Sequence, residues 1–446
     1  MKTSTSKRLR WNVAIWLAAG LFMTGASGMA SGPIMPDPKA EARHQPQVEE
    51  TANSIPLVNI TAPSSGGVSR NEYETFNVPD KGAILNNSYT LSKTELAGYV
   101  QGNNNMAERP AKIIVNEVTG AGSTSMDGFL EVAGNRADVV IANPNGITVN
   151  GGGFINTGKA FLTTGKPVYD GEDHLQRFDI TGGDILIEGK GLGGKETESL
   201  AILSRAVKIN AGIWAKDLHI TTGTNTVDAK TLEASAIEGK GGCPAFALDT
   251  AAIGGMYAGR ITLVGTEKGL GVNNSGTWSA EDNLTLDWNG DLKNSGTIYS
   301  KGNTDLRASH LENDKTIAAE RNLSAAAKEN IRNQGKLLAG ENMDIYAGKT
   351  LDNAGHAMES GNNLSIETGD IVNNAAGTIK SGGSQQIKAG HTLTNTEGTL
   401  AADGNINIQT GRMTGDGIVS AGKKAGILLE KDFTNTGRLE QAAAFH

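Results

Sequence analysis

Residues 294–312 read NSGTIYSKGNTDLRASHLE, and residues 313–332 read NDKTIAAERNLSAAAKENIR. Each line opens on an Asn-led turn, passes through an apolar residue, and closes on a second Asn-led segment with apolar side chains two apart. The opening turn recurs at Asn274-Ser275-Gly276, Asn294-Ser295-Gly296, Asn313-Asp314-Lys315, Asn333-Gln334-Gly335 and Asn353-Ala354-Gly355, in steps of 20, 19, 20 and 20 residues. It continues less regularly at Asn374, Asn395 and Asn435. The second segment keeps nearly the same step, from Asn283-Leu284-Thr285-Leu286 through Asn303, Asn322, Asn342 and Asn363 to Asn405-Ile406-Asn407-Ile408. Between the two stands an apolar residue, as at Trp278, Ile298, Ile317, Leu337, Ile379, Leu400 and Ile418.

A period near 20 residues signals a solenoid, and apolar residues at i and i+2 between Asn, Gly and Asp turns signal strands. Leucine-rich repeats share the length but need a denser Leu pattern. The expected fold is therefore all-β, a right-handed parallel β-helix with coils of about 20 residues. Roughly eight or nine such coils, each adding about 4.8 Å, give a rod on the order of 40 Å for residues 271–446. Leu and Ile are expected to stack inside, and Asn to form hydrogen-bonded ladders at the corners. The Ala325–Ala327 run has helical composition, but its place after Asn322 puts it in a coil.

Composition agrees. There are 59 glycines, aromatic residues are 5%, and the hydrophilic remainder is rich in turn formers, which suits many short strands better than helices. Lys2, Lys7, Arg8 and Arg10 precede an apolar core over 13–23, and Gly28-Met29-Ala30 offers a cleavage site, so residues 1–30 read as an export signal. The core is short for a retained anchor. Removing it takes the formal net charge from −8 to −12, an acidic balance that argues against nucleic acid as partner. The single Cys243 permits no internal disulfide, and the seven His show no metal-ligand spacing, so no metal and no cofactor are expected. Residues 31–66 carry Pro33, Pro36, Pro38, Pro46, Pro56 and Pro63 and read as a flexible leader.

From Gly67 the chain turns to apolar runs such as Lys112-Ile113-Ile114-Val115 and Val139-Val140-Ile141. The ordered segments GVSRNEYETFNV (67–78), GAILNN (82–87), IVNEV (114–118), ANPNGI (142–147), GGGFINTG (151–158), the run around Leu203-Ser204-Arg205-Ala206, GGMYAGRI (254–261) and GVNNSG (271–276) resemble the secretion domain of two-partner-secretion exoproteins. That family includes filamentous haemagglutinin adhesins and the sticks of contact-dependent growth-inhibition toxins. The resemblance spans about 67–270, which would cap the rod of 271–446. It marks Asn143, Pro144, Asn145, Gly146 and Ile147 as a secretion motif. A second motif of the family, N-P-N-L, is matched only by Asn103, Asn104, Asn105 and Met106, without the Pro. Many toxin-type members carry two Cys where this chain has Asn150-Gly151-Gly152-Gly153, which favours the adhesin branch.

The resemblance implies a route. The general secretion machinery of the inner membrane would deliver the chain unfolded. The periplasmic POTRA domains of a dedicated outer-membrane barrel transporter would then capture it, and it would fold outside, secreted or held at the surface of a double-membrane bacterium. A host-cell or neighbouring-cell receptor is the further partner implied. From the residues alone, Asn143-Pro144-Asn145-Gly146 also makes a tight corner, because Pro presets φ and Asn-Gly accepts left-handed backbone.

Three features suggest an enzyme, and each falls short of what its chemistry requires. Gly153–Ala160, GFINTGKA, lacks only the last residue of a P-loop, but Ala160 replaces the Ser or Thr that binds magnesium and no helix follows. Gly189-Lys190-Gly191-Leu192-Gly193-Gly194 is a lone G-x-G-x-x-G without βαβ alternation. A polysaccharide-binding or polysaccharide-cleaving β-helix would, for cleavage, need clustered carboxylates. Of Asp282, Asp291, Asp305, Asp314 and Asp344, only Asp305 and Asp344 share a register position, two coils apart. The expectation is a non-enzymatic, adhesin-like exoprotein, with a truncated toxin stick as the alternative.

Overall fold

A computed structural model describes residues 34–107, 109–239, 242–430, 433–435 and 437–441. The expected export signal, residues 1–30, lies outside the described residues. The chain winds as a parallel β-solenoid whose regular coils each place a short strand in each of three sheets. The first sheet climbs from Val68–Thr75 through Ile113–Val118, Ala137–Ala142, Thr157–Thr163 and Ser199–Ser204 to Ala425–Leu429, fifteen strands in all. The second starts at Pro56–Asn59 and runs through Ala83–Asn87, Phe129–Gly134 and Gly152–Ile155. The third takes Thr124–Met126, Ile147–Val149, Asp184–Ile187 and Ala206–Ile209 in order. Gly212–Thr222 and Gly255–Gly265 are long enough to serve the second and first sheets in turn.

Strand alternation decides what is inside. In Leu284–Trp288 the residues 284, 286 and 288 are buried and 285 and 287 are exposed, the period of a half-buried strand. Because the coils keep register, inward residues stack: Trp278, Ile298, Ile317, Leu337, Met358, Ile379, Leu400 and Val419 form one column of the core. Each contributes on the order of 1.5–3 kcal/mol of burial. Val419, not Ile418, is the inward residue of its strand; Ile418 faces out and is 41% exposed, because alternation along Ile418–Ala421 puts the second residue inside.

The Asn turns form the expected ladder. Asn274, Asn294, Asn313, Asn333, Asn353, Asn374 and Asn395 are all buried, and each Nδ2 donates to the Oδ1 of the next at 2.7–2.9 Å. The column starts at Asn274 because the previous coil has Thr250 there, bonded instead by Trp278 Nε1 at 3.1 Å. It stops at Asn395 because Gly415 comes next in register, and Asn435, whose side chain lies outside the described part, stands one coil further on. The second Asn series works differently: Oδ1 of Asn283, Asn303, Asn322 and Asn342 each accepts a backbone N–H one coil up.

Two expectations change. The solenoid does not begin at 271; it runs unbroken from the N-terminal region. Its early coils hide their period because hairpins interrupt them. Ala160 pairs with Leu200, forty residues on, because Lys166–Tyr169 and Leu175–Ile180 fold out between them. These strands join Asn225–Asp228 and Ala234–Ala236 in an antiparallel sheet laid over the first sheet. Phe178, Ile180 and Val227 cover Val115, Val140 and Leu203, which is why runs such as Val139–Ala142 are apolar on both faces.

The flexible leader expected over 31–66 is instead folded from residue 34. Met35–Pro36 pairs antiparallel with Val68–Thr75, and Gln47–Glu50 with Pro56–Asn59, so the segment covers the first edges of two sheets. Its prolines disguise Ile34, Ile55, Leu57, Val58 and Ile60, all buried. Pro36 and Pro56 sit on an edge strand and at a strand start, where a missing N–H is tolerated. A charged clasp ties this cap to the first coils. Arg70 Nη2 lies 2.9 Å from Glu72 Oε1 and 3.4 Å from Glu117 Oε2, His44 Nδ1 is 3.0 Å from Glu72, and the Arg70 guanidinium stands 4.5 Å over the Tyr169 ring. Burial pushes the Glu117 carboxyl up, and the Arg70 charge opposes that.

Removing one rung of the ladder is costly. Asn333→Ala removes the amide bonds to Asn313 and Asn353 together with those to Gly335 and Ala357, and takes the amide donor from the buried Asn353 Oδ1, so we expect a loss of about 2–4 kcal/mol. Asn363→Ala, at an exposed corner, should cost under about 1 kcal/mol. Amide hydrogen exchange of the flanking coils measures both. A second expectation concerns acid. Burial lowers the His219 pKa from 6.5 to about 4, so the unfolded chain binds a proton that the folded chain refuses between those values. Stability contributed by His219 is full above pH 6.5 and falls as pH drops toward 4. The His219 contribution to urea unfolding at pH 5 against pH 7 should be a loss of up to about 2 kcal/mol, by which the pH dependence of His219→Gln differs from that of the parent.

Candidate secretion-motif corners

Asn143 follows the strand Ala137–Ala142 and begins the corner that leads into Ile147–Val149. Its side chain is buried, with Nδ2 donating to Gly122 O at 2.9 Å and Thr124 Oγ1 at 3.0 Å, both on the preceding coil. Its Oδ1 accepts the Asn145 backbone N–H at 2.9 Å, closing an Asx turn. Asn145 Nδ2 reaches Gly120 O at 2.8 Å. Gly146 N–H donates to Asn143 O at 3.1 Å with Gly146 at φ +110, and a Cβ there would stand 3.0 Å from Asp184 O. Ile147 is buried in the core. Only Pro144 and Asn145 are exposed. The motif thus clamps three successive coils.

The second corner repeats the device without proline. Asn103 is buried, its Nδ2 donates to Ile60 O and Asn86 O at 2.9 Å each, and its Oδ1 accepts the Asn105 N–H at 3.0 Å. Asn105 Nδ2 bonds Ile60 O at 3.1 Å, Met106 is buried, and Asn104 is exposed in the place Pro144 holds. A short 3-10 turn over Asn104–Met106, followed by Ala107 at φ +40, supplies the bend. The two corners lie on different coils and do not touch in a common site.

The sequence reading missed the partners. Asn71, Asn86, Asn87 and Asn116 are buried too, and each bonds a backbone carbonyl or side chain on a neighbouring turn. The signal was in the motif strings: GVSRN, GAILNN and IVNEV each place Asn inside an apolar run. A polar residue there, flanked by core strands, must satisfy its amide across coils.

The nucleotide-like stretches are strand ends and the short turns between them. Gly153–Ala160 spans the end of Gly152–Ile155 and the start of Thr157–Thr163, joined by Asn156 at φ +54. Gly189 and Gly191, at φ +56 and +79, form the turn before Leu192–Gly194. Among the described residues no group of three or more His, Cys, Asp or Glu is placed to hold a metal ion. Asp305 and Asp344 are separated in register by Ser324.

A parallel solenoid with an N-terminal cap, an extra-helical sheet and Asn-clamped corners defines a class of β-solenoid proteins, and comparison gives the family. The TPS secretion domain matches residues 33–299, and the haemagglutinin repeat matches 300–355 and 344–409. The crystal structure of a filamentous hemagglutinin secretion domain is 29% identical, superposes with a TM-score of 0.53, and covers 70% of this chain and 97% of that one. Relatives include Toxin CdiA of Yersinia pestis, 41% identical over 62% of this chain, and the 16S rRNA endonuclease CdiA of Enterobacter cloacae, 38% identical over 72%. The chain spans about a tenth of the length of these relatives, 9% and 10%. It belongs to the TPS secretion domain family and carries haemagglutinin repeats after that domain, the make-up of a two-partner-secreted exoprotein. The matched domain starts at residue 33, taking in the folded cap.

The corner geometry separates its residues. Gly146→Ala forces a side chain into left-handed backbone and toward Asp184 O, and should cost about 1–3 kcal/mol. Pro144→Ala, exposed, should cost under about 1 kcal/mol. Thermal unfolding of both variants measures the contrast.

Proposed function

We propose that Asn143–Ile147 and Asn103–Met106 act twice in export: first as extended segments captured by the transporter's periplasmic POTRA domains, then as the corners that lock the first coils outside the cell. The observation that carries this is the burial of Asn143 and Asn103. Their amides are consumed in the folded coil, so a partner that reads them must do so before folding. The inner-membrane secretion machinery delivers the chain in that unfolded state, and strand addition is the ordinary way to hold an extended segment. Each coil that forms outside buries its edge on the last and opposes return. The described residues perform no chemistry in this route, and no nucleotide, metal or nucleic acid takes part.

On this reading the chain is the export domain and first stalk of an adhesin-like exoprotein, held at the cell surface and directed to a receptor on a host or neighbouring cell. A second reading, the stick of a contact-dependent inhibition toxin, is favoured by the 38–41% identity to CdiA proteins. A small immunity gene beside the locus, and growth inhibition of co-cultured cells lacking it, would select the toxin reading.

Surface display measured with and without the transporter gene tests the route. Display should vanish without it, and Asn143→Ala should lower display several-fold, more than Asn145→Ala. Unchanged display of both variants would reject the recognition role of the motif.

A further inference from the structure

The outer face of the second sheet carries a feature that export leaves unused. In register along the rod, one outward position reads Phe129, Gly153, Gly193, Trp214, Tyr257, Ser279 and Tyr299 on seven successive strands. Six steps of about 4.8 Å make a track roughly 30 Å long. The glycines that resembled phosphate loops are part of its floor. A Cβ on Gly153 would stand 2.4 Å from the Phe129 ring, and one on Gly212 2.5 Å from the Trp214 ring. The rings therefore lie down over bare backbone instead of projecting from the sheet. Phe129 and Tyr257 remain 43% and 39% exposed, and the Trp214 and Tyr257 rings are near parallel, 17° apart with centroids at 6.1 Å.

We infer that this track binds a neutral, linear polysaccharide laid parallel to the rod. Flush aromatic faces suit the apolar C–H faces of sugar rings, and a 6.1 Å step between neighbouring rings lets successive units of one polymer meet successive aromatics. Thr277 and Thr297, on the outward position beside Ser279 and Tyr299, offer hydroxyls to sugar edges. A protein partner fits less well, because its anchoring side chains need deep pockets and the Phe129 and Trp214 rings lie flush over Gly153 and Gly212. A polyanion fits less well too: Arg260 is already paired with Asp217 and Asp282, and Lys301 with Glu281.

The test is native affinity electrophoresis of the exported, purified protein through gels containing hydroxyethylcellulose, xyloglucan, mannan or glycol chitin, with heparin as the polyanion. Retardation by at least one neutral polymer, insensitive to salt, is expected. Trp214→Ala with Tyr257→Ala should weaken it about tenfold. Gly193→Gln is the second variant: a Cβ there meets nothing closer than 3.7 Å, so the fold should hold at an unchanged melting temperature while the side chain obstructs the track. Retardation by no neutral polymer would overturn the inference. So would binding unaffected by both variants, salt-sensitive binding to heparin alone, or an export defect of the aromatic variant without polymer binding.

Discussion

Among the described residues the coils pair in parallel, each on the next, in a register interrupted only by local bulges, and that constraint organises everything else. A position is not a single residue but a column, and whatever stands in it must accept itself, or a near equivalent, about 4.8 Å above and below. Leu, Ile and Val meet that demand in the core because identical branched side chains stack without voids. Charged residues do not, and along the regular coils they face outward and pair across coils, as Lys388 does with Glu367 and Arg321 with Glu341. Asn meets the demand inside in the longest polar column. Its amide carries donor and acceptor together, so Asn333 can accept from Asn313 and donate to Asn353 in a single geometry. Asp in the same place would present acceptors only.

The same property explains why Asn appears both in the regular ladder and at the irregular secretion corners. In the ladder the neighbour one coil away is another Asn. At Asn103 and Asn143 the neighbouring coil offers backbone carbonyls instead, Ile60 O and Asn86 O in one case and Gly122 O in the other. The amide adapts to either, and its Oδ1 closes the local Asx turn in both corners. Proline at 144 only presets a bend that Asn104 reaches through a 3-10 turn. The loss of Pro from the earlier motif is therefore structurally silent.

How much of this the sequence discloses depends on whether a column repeats. From Asn274 onward each coil is 19 to 21 residues, so the period, the inward positions and the ladder can be read directly from the letters. Upstream the same three sheets exist, but hairpins at Ser92–Val100 and Lys166–Ile180 break the count. Those coils were legible only through a family resemblance. The cap was not legible at all, since its apolar residues are few, spaced by prolines, and matched to partners on the first coils that no local pattern announces. The partners of Asn143 were hidden for a related reason: Gly120, Gly122 and Thr124 are ordinary turn residues until a neighbouring coil is laid against them.

A rod built this way has its stability distributed coil by coil, without a disulfide and with few large aromatic anchors. That distribution suits passage through a narrow barrel on the proposed route. No single element must fold before the rest can thread, and no cross-link among the described residues must be broken. The first coils are the exception, because a coil with nothing beneath it has no edge to bury against. The cap answers this by pairing antiparallel with Val68–Thr75 and within Gln47–Asn59, and the Arg70, Glu72, Glu117 and His44 clasp fixes it there. The end that carries both Asn corners is thus the end whose first edges are covered by the cap. Once that end is formed, each later coil needs only the column below it, and the length of the rod can grow without further invention in the sequence.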